Sequence, residues 1–371
     1  MKKQNLSGFS GRIVNICRKR KQFPIRGQLE LTYRCNLNCL HCYCSGLEYQ
    51  DKELTTAEWK KIIDRMAKEG CLELCFTGGE PLIRKDFLEI YAYAKTKGFL
   101  ITIFSNGVLL TKEIISYLEK SPPFSIEITL NGITRKTYER ITRVKDTFDK
   151  VIENINQLAK SGINLFLKAN CLKENKNEIA GIKAFTHKLL GEDIKRFKYD
   201  PFIFAKLNGD RSPCKHRLSA QELLEVRRSD PKIWKEFSKS VCSITPGLVK
   251  NKERLYRCTS WMTNFFINPS GWIRPCNLST EYSADLKTAT FKEGFYNIFG
   301  RLQNEEFKSD SKCKNCLLRR YCYHCPSRAY LETKSKESPV DYYCQLAKTA
   351  FNEKNRLFLK KGGNYAKEIK V

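Results

Sequence analysis

Short apolar runs alternate with amphipathic stretches over the first two thirds of the chain. The apolar runs have the length of buried strands, and they cover residues 28–33, 71–77, 99–104, 124–130, 163–169 and 195–202. The stretches between them have helical spacing, and they cover residues 55–69, 86–97, 111–120, 147–161 and 178–190. Strands that alternate with helices predict a parallel α/β sheet, open or barrel-like.

The pattern changes after residue 237, where cysteines become dense, turns are frequent and long helices are expected to be scarce. The turn 268–271 separates the apolar runs 265–267 and 272–273, which predicts a hairpin. The predicted units are a basic N-terminal extension (1–27), an α/β domain (28–237), a bridging region (238–257), a small Cys-rich domain (258–350) and a basic C-terminal tail (351–371) that frays from Lys360.

Composition narrows the chemistry. The 371 residues include 17 Cys, a share below the roughly 8–10% that is typical of small disulfide scaffolds. Neither a signal-peptide pattern nor an apolar segment of membrane-spanning length occurs, so a cytoplasmic protein with reduced thiols and no membrane association is expected. The formal net charge of +27 predicts an anionic partner, such as nucleic acid or an acidic peptide or protein. Basic helix faces in solvent are the alternative.

Three cysteines lie within eight residues directly after the first predicted strand. Cys35, Cys39 and Cys42 have the spacing C-x3-C-x2-C. Three thiolates on a cubane iron–sulfur cluster leave one iron open for a substrate or cofactor. A structural zinc site usually has four ligands, and Cys44 is too close to Cys42 to be a good fourth.

This motif closely resembles the cysteine motif of the radical S-adenosylmethionine (SAM) enzymes. Three further turns, after the second, third and fourth predicted strands, resemble SAM-binding motifs of that family. The residues that the resemblance assigns to SAM binding are His41, Gly78, Gly79, Glu80, Ser105, Asn106, Thr129 and Arg143. Glu80 would offer its carboxylate to the methionine ammonium. Arg143 would lie near the SAM carboxylate, with Arg140 as the alternative in register.

The motif after the fourth strand departs from the family pattern, because Thr129 and Asn131 replace its Ser and Asp. All four motifs still follow predicted strands, at the end where α/β barrels build their active sites. The resemblance covers residues 28–237 and implies a partial (β/α)6 TIM-type barrel that binds one [4Fe–4S] cluster and SAM. It also implies reductive cleavage of SAM to a 5′-deoxyadenosyl radical, which abstracts hydrogen from the substrate. No catalytic residue of the chain itself is assigned.

Seven further cysteines are concentrated between residues 258 and 344. Paired C-x2-C units also occur in zinc ribbons, but seven cysteines are one short of two four-thiolate sites. The spacing resembles the SPASM domain of many radical SAM enzymes, which implies two auxiliary [4Fe–4S] clusters. By that resemblance, one cluster is bound by Cys313, Cys316, Cys322 and Cys344. The other is bound by Cys258, Cys276 and Cys325, with Cys242 as a candidate fourth ligand.

The substrate that the resemblance favours is a ribosomally made precursor peptide, modified by a thioether or carbon–carbon cross-link. An acidic leader would suit the basic chain, and an acidic flavodoxin or ferredoxin would be the electron donor. Only residues 1–27 precede the first predicted strand. Leader binding is therefore expected to use the barrel, the extension or a partner protein.

Two other enzyme classes stay open. A maturase of the anaerobic sulfatase-activating type would keep an Asp base directly after the cysteine that matches Cys276, and Asn277 cannot serve as a carboxylate base. Small-molecule or haem-type cofactor biosynthesis is the second alternative. Nucleic-acid modification is supported by charge alone and is not expected, because no RNA-binding motif is present.

Overall fold

The structure is a computed structural model, and it describes residues 22–47, 52–192, 196–244 and 251–359. In this part of the chain one mostly parallel sheet contains nine strands. They are β1 (Arg26–Glu30), β2 (Glu73–Thr77), β3 (Leu100–Ser105), β4 (Ser125–Thr129), β5 (Leu165–Asn170), β6 (Phe197–Asp200), β7 (Asn264–Ile267), β8 (Trp272–Arg274) and β9 (Ala284–Asp285). Their order is β6-β5-β4-β3-β2-β1-β7-β8-β9.

The first seven strands in this order, β6 through β7, all pair in parallel. The pairs β7–β8 and β8–β9 are antiparallel. The helices are α1 (Thr56–Lys68), α2 (Phe87–Thr96), α3 (Lys112–Lys120), α4 (Arg135–Thr142), α5 (Phe148–Lys160), α6 (Ile179–Leu190), α7 (Ala220–Arg228), α8 (Pro231–Ser243), α9 (Phe291–Gln303), α10 (Pro326–Thr333) and α11 (Asp341–Leu359). The first six helices follow the parallel strands in chain order, which makes the first 200 residues a set of β–α units.

Helix α1 shows how the local sequence sets these elements. The Thr55 side chain accepts a hydrogen bond from the backbone N–H of Glu58, whose carboxylate accepts one from the Thr55 backbone. This reciprocal capping satisfies two N–H groups that the helix cannot pair itself. Trp59, Ile63 and Met66 are buried, and their spacing places them on one face of the helix. The observed start at Thr56 lies one residue from the predicted start.

Each of the six predicted strands of the first domain is present, with ends displaced by a few residues. The predicted hairpin at 265–273 is also present, as β7 and β8. Strand β7 pairs in parallel with β1, with Leu29 opposite Ile267. The sheet therefore continues into the segment that follows residue 257. The predicted domain boundaries stay predictions.

The expectation that long helices are scarce after residue 237 is wrong. Helices α9, α10 and α11 all lie there. In α11 the side chains of Tyr343, Leu346, Ala347 and Ala350 are buried, and their spacing of three and four residues is helical. The segment from 351 to Leu359, predicted as tail, continues α11. The rest of the predicted tail (360–371) and most of the predicted extension (1–21) lie outside the described residues.

The hydrophobic core runs continuously from the first β–α units into the Cys-rich region. Phe265 on β7 packs edge-on against Phe291 and Phe295 of α9, with ring centroids 4.9 and 6.0 Å apart. All three rings are buried. In the described part of the chain, no helix has both the length and the apolarity to cross a membrane.

Candidate active site

The loop after β1 carries the three clustered cysteines, and hydrogen bonds from its neighbours hold its backbone in place. The backbone N–H groups of Asn38 and Leu40 donate to the carbonyls of Thr142 and Ile141, at 3.0 and 2.9 Å. The loop is thereby attached to the C-terminal end of α4. It lies at the carboxyl end of β1, the edge at which sequence analysis placed the site.

Two glycines after β2 allow a second attachment. The N–H of Gly79 donates to the Thr32 carbonyl at 2.8 Å. A Cβ atom on Gly79 would lie 2.5 Å from the carbonyl oxygen of Arg34, and one on Gly78 would lie 2.2 Å from that of Thr32. Any side chain here would therefore displace the start of the cysteine loop. The resemblance assigned these glycines to SAM binding, where a residue without a side chain lets a ligand approach the backbone closely. The structure shows that they also allow close approach of two backbones.

The thiols of Cys35, Cys39 and Cys42 line one open cavity of about 650 Å³. Burial raises the pKa of Cys35 to about 11 and raises that of Cys39 well above its ordinary value. A hydrogen bond with Cys44, whose Sγ lies 3.6 Å from that of Cys42, lowers the pKa of Cys42 to about 7. Two of the three thiols are therefore protonated at neutral pH, and a metal that binds them must displace those protons.

The donor set fits an iron–sulfur cluster. No group of three or more His, Cys, Asp or Glu side chains in the described ranges is arranged to hold a metal ion as it stands. Each thiolate on a [4Fe–4S] cluster binds a different iron, so its ligands stand farther apart than those of a single ion. The buried Nδ1 atom of His41 lacks a hydrogen-bond partner, and His41 lines the same cavity. The cavity therefore offers three thiols and an unpaired polar atom.

Glu80 lies fully buried between two of the predicted SAM-binding turns. Its carboxylate accepts hydrogen bonds from the backbone N–H groups of Asn106 and Leu82, at 2.7 and 3.1 Å, and from the Ser105 hydroxyl at 3.0 Å. Burial raises its pKa to about 7. Glu80 thus ties the turn after β2 to the turn after β3. Its contact with a methionine ammonium stays a prediction.

The other predicted SAM-binding residues differ in their placement. His41, Gly78, Gly79, Ser105, Asn106 and Thr129 line the cavity. The Asn106 side-chain amide donates to Asn36 at 2.9 Å, which joins the β3 turn to the cysteine loop. Arg143 is exposed, has a φ of 59° where α4 ends, and lies outside the cavity lining. Its predicted role stays a prediction.

Sequence analysis missed a charged group on the neighbouring strands. Lys168 on β5, Glu127 on β4 and Lys198 on β6 line the cavity. One Glu127 oxygen lies 3.8 Å from Lys168 Nζ, and the other lies 3.2 Å from Lys198 Nζ. The available signal was charge at alternate positions of otherwise apolar strands, because alternate side chains share a face of the sheet.

The C-terminal cysteines fall into the two groups that the resemblance implies. Burial raises the pKa of Cys322 to about 12, and the charges of its three companions add to this. The companions are Cys313, Cys316 and Cys344. Cys276 has the same raised pKa for the same reason, and its charged neighbours are Cys325 and Cys258. Cys242 is exposed on α8. The ligand assignment itself stays a prediction.

Asn277 brings the second cysteine region to the cavity. It follows Cys276 and lines the cavity together with Tyr43, which follows Cys42. The Tyr43 hydroxyl donates to the buried Glu30 at 2.7 Å. The segments of Cys276 and Cys42 therefore line the same cavity.

Comparison with known proteins identifies the segment that contains the cysteine loop. Residues 29–185 match the protein family described as the Radical SAM superfamily. These residues therefore form a radical SAM domain. The family implies a [4Fe–4S] cluster and SAM, in agreement with the cysteine loop and the cavity.

Among its relatives, the chain is 27% identical over 338 residues to "AdoMet-dependent heme synthase" of Methanosarcina barkeri, and the alignment covers 85% of this chain and 95% of the relative. It is 32% identical over 204 residues to "Fe-coproporphyrin III synthase" of the same organism, and this alignment covers 53% of this chain and 50% of the relative. It is 32% identical over 162 residues to "PqqA peptide cyclase" of Bradyrhizobium diazoefficiens, and this alignment covers 43% of this chain and 42% of the relative. The chain thus spans half or less of the length of two of these relatives.

Solved structures with bound precursor peptide or AdoMet share the fold. The crystal structure of Streptococcus suis SuiB bound to precursor peptide SuiA has a TM-score of 0.68 at 20% identity, covering 91% of this chain and 80% of SuiB. Native anSMEcpe with bound AdoMet has a TM-score of 0.64 at 17% identity, and the match covers 91% of this chain and 99% of anSMEcpe. These similarities confirm the predicted fold class, a mostly parallel α/β sheet followed by a Cys-rich region.

Proposed function

We propose that the chain is a radical SAM enzyme that modifies a ribosomally made precursor peptide, by closing a thioether or carbon–carbon cross-link. The observation that carries the proposal is that three clustered thiols and a charged, aromatic set of side chains line the same cavity. Its volume of about 650 Å³ is in the usual range for sites that enclose small molecules and cofactors.

Relatives and structural neighbours support a peptide substrate. One relative is named as a PqqA peptide cyclase, and another, from Mycolicibacterium smegmatis, as a mycofactocin maturase. SuiB was crystallised with its precursor peptide. The formal charge of +27 would favour an acidic leader.

Each set of residues has a separate task in this proposal. Cys35, Cys39 and Cys42 would hold the cluster, which together with SAM supplies a 5′-deoxyadenosyl radical for hydrogen abstraction. Glu80 keeps the Ser105 turn in place through its buried hydrogen bonds. His41 stays neutral at physiological pH, because burial lowers its pKa to about 4, so it adds no positive charge where the cationic SAM would bind.

Two auxiliary [4Fe–4S] clusters are part of the proposal. One would use Cys313, Cys316, Cys322 and Cys344, and the other would use Cys258, Cys276 and Cys325. The second set has three thiols, so a substrate thiolate could complete it. The predicted domain bounds and the cytoplasmic location are proposed from the sequence pattern, and an acidic flavodoxin or ferredoxin is the proposed electron donor. Iron analysis tests these clusters. Replacing the four cysteines of the first set by Ala should remove about one third of the bound iron, because one of three four-iron clusters would be lost.

Co-expression tests the peptide-modifying activity. The enzyme would be produced anaerobically with each short peptide encoded beside its gene, and peptide masses would be measured. A cross-link removes two hydrogens from the peptide. The mass change should disappear in Cys39→Ala and persist in Cys71→Ala, because Cys71 lies in the core and donates to the Ile25 carbonyl. Unmodified peptides, despite SAM cleavage by the wild type, would contradict the proposal.

Tetrapyrrole chemistry is the second candidate. It is supported by the relative named as a heme synthase, which aligns over 85% of the chain. Titration with Fe-coproporphyrin III distinguishes the two. Turnover to a tetrapyrrole product would favour this candidate, whereas peptide modification without such turnover would favour the first.

A further inference from the structure

The side chains of β4, β5 and β6 form a charged floor in the cavity that the cysteine and SAM motifs do not use. We define this charged floor as Glu127, Lys168 and Lys198. Lys168 and Lys198 are register partners on neighbouring strands, and Glu127 lies between their amines. A charged group inside a β–α sheet carries a desolvation cost, so its position at the cavity calls for an explanation.

Lys168 is the less exposed of the two lysines in the charged floor. Its side chain is 24% exposed, against 56% for Lys198, and it lines the cavity. Its Nζ lies 3.1 Å from the centroid of the Phe104 ring on β3 and 3.8 Å from Glu127.

The ionisable groups that face this amine come from three other strands. Burial lowers the pKa of Lys168 to about 8, and Lys198 on β6 lowers it further. Glu127 on β4, Cys75 on β2 and Asp200 at the end of β6 oppose the shift. Lysines whose ammonium form is destabilised in this way serve as bases in other enzymes.

Three other polar groups that line the cavity are less suited to take a proton near neutral pH. Asn277 has no basic atom. His41 has a pKa of about 4, far below the optimum for a base at physiological pH. Asp200 already accepts a hydrogen bond from the Phe202 backbone at 2.8 Å.

We propose that Lys168 is the base that accepts the proton lost by the peptide when the cross-link closes. This inference rests on the proposed function. The peptide loses one hydrogen atom to the 5′-deoxyadenosyl radical. It would then lose one proton and one electron as the new bond forms: the proton would pass to the neutral amine of Lys168, and an oxidised iron–sulfur cluster held by the cysteines would take the electron.

Substitution at position 168 provides the test. Arginine keeps the positive charge beside Glu127 but stays protonated in proteins, so Lys168→Arg removes the base without leaving Glu127 unpaired. We expect cross-link formation to fall on the order of 100-fold, while SAM cleavage to 5′-deoxyadenosine continues. Wild-type product formation should rise with pH through about 8, and this inflection should be lost in Lys168→Arg. Lys198→Met removes the other amine that faces Glu127 and should keep the inflection but displace it to higher pH, because Lys198 lowers the pKa of Lys168.

A second readout is independent of turnover. Labelling of the reconstituted enzyme with acetic anhydride at increasing pH, followed by mass spectrometry, measures when the Lys168 amine becomes neutral. An inflection near 8 supports the role, and one near the ordinary value of about 10.4 overturns it. The role would also be overturned if Lys168→Arg formed the cross-link at the rate of the wild type and with the same pH dependence. Peptides that the wild type leaves unmodified would refute the proposed function instead.

Discussion

Replacing Glu80 by Gln should remove a pH dependence from the stability of the protein. Burial raises the pKa of Glu80 from the ordinary 4.5 to about 7. Between these values the folded protein keeps a proton that the unfolded chain has released. The stability that this proton confers is fully present below pH 4.5 and is lost as the pH rises through about 7. At 1.36 kcal/mol per pKa unit, the loss amounts to about 3 kcal/mol.

Urea unfolding of the cluster-free protein without SAM measures this effect. The free energy of unfolding of the wild type, minus that of Glu80→Gln, should fall by about 2.5 kcal/mol between about pH 5 and about pH 8. Subtracting the variant removes the titration of every other group.

Glu58→Gln is the matched control for this measurement. The carboxylate of Glu58 is exposed, and the hydrogen bonds from Thr55 lower its pKa, so it is ionised over the whole range. The difference between the wild type and this variant should not change with pH. A difference between the wild type and Glu80→Gln that is equally flat would refute the reasoning, because Glu80 would then ionise as it does in water.

Two further substitutions test the packing around the site. Gly79→Ala places a methyl group 2.5 Å from the Arg34 carbonyl oxygen, so it should displace the cysteine loop and abolish iron binding there, measured by absorbance and iron analysis. Gly300→Ala, whose Cβ meets nothing within 4 Å, should bind iron normally. The buried Arg217 guanidinium donates two hydrogen bonds to the Glu332 carboxylate, at 2.6 and 2.9 Å. Glu332→Ala removes both acceptors and should lower the free energy of unfolding by about 3–5 kcal/mol, which urea unfolding measures. A cost below about 1 kcal/mol would show that water reaches this pair.

The strands and the site-bearing turns of the first domain could be predicted because each depends on local sequence. An apolar run followed by a turn motif is visible without knowledge of the partner strands. The turns that contain Cys35, Gly79 and Ser105 therefore lay where expected, at the carboxyl end of the sheet.

The remaining features depend on contacts between distant residues. Parallel pairing of β7 with β1 joins residues more than 200 positions apart, and no periodicity reports such a partner. The charged floor needs three strands in register before Glu127 meets Lys168 and Lys198. Arg143 was assigned by resemblance, and it lies exposed where α4 ends, so its role stays a prediction.

The cysteine cluster is the central claim, and cleavage of SAM tests it most directly. The protein would be reconstituted with iron and sulfide under anaerobic conditions, reduced with dithionite and incubated with SAM, and 5′-deoxyadenosine would be measured. We predict formation of 5′-deoxyadenosine by the wild type and none by the variant in which Cys35, Cys39 and Cys42 are all Ala. Equal amounts from both proteins, or none from a wild type with a full complement of iron, would contradict the account.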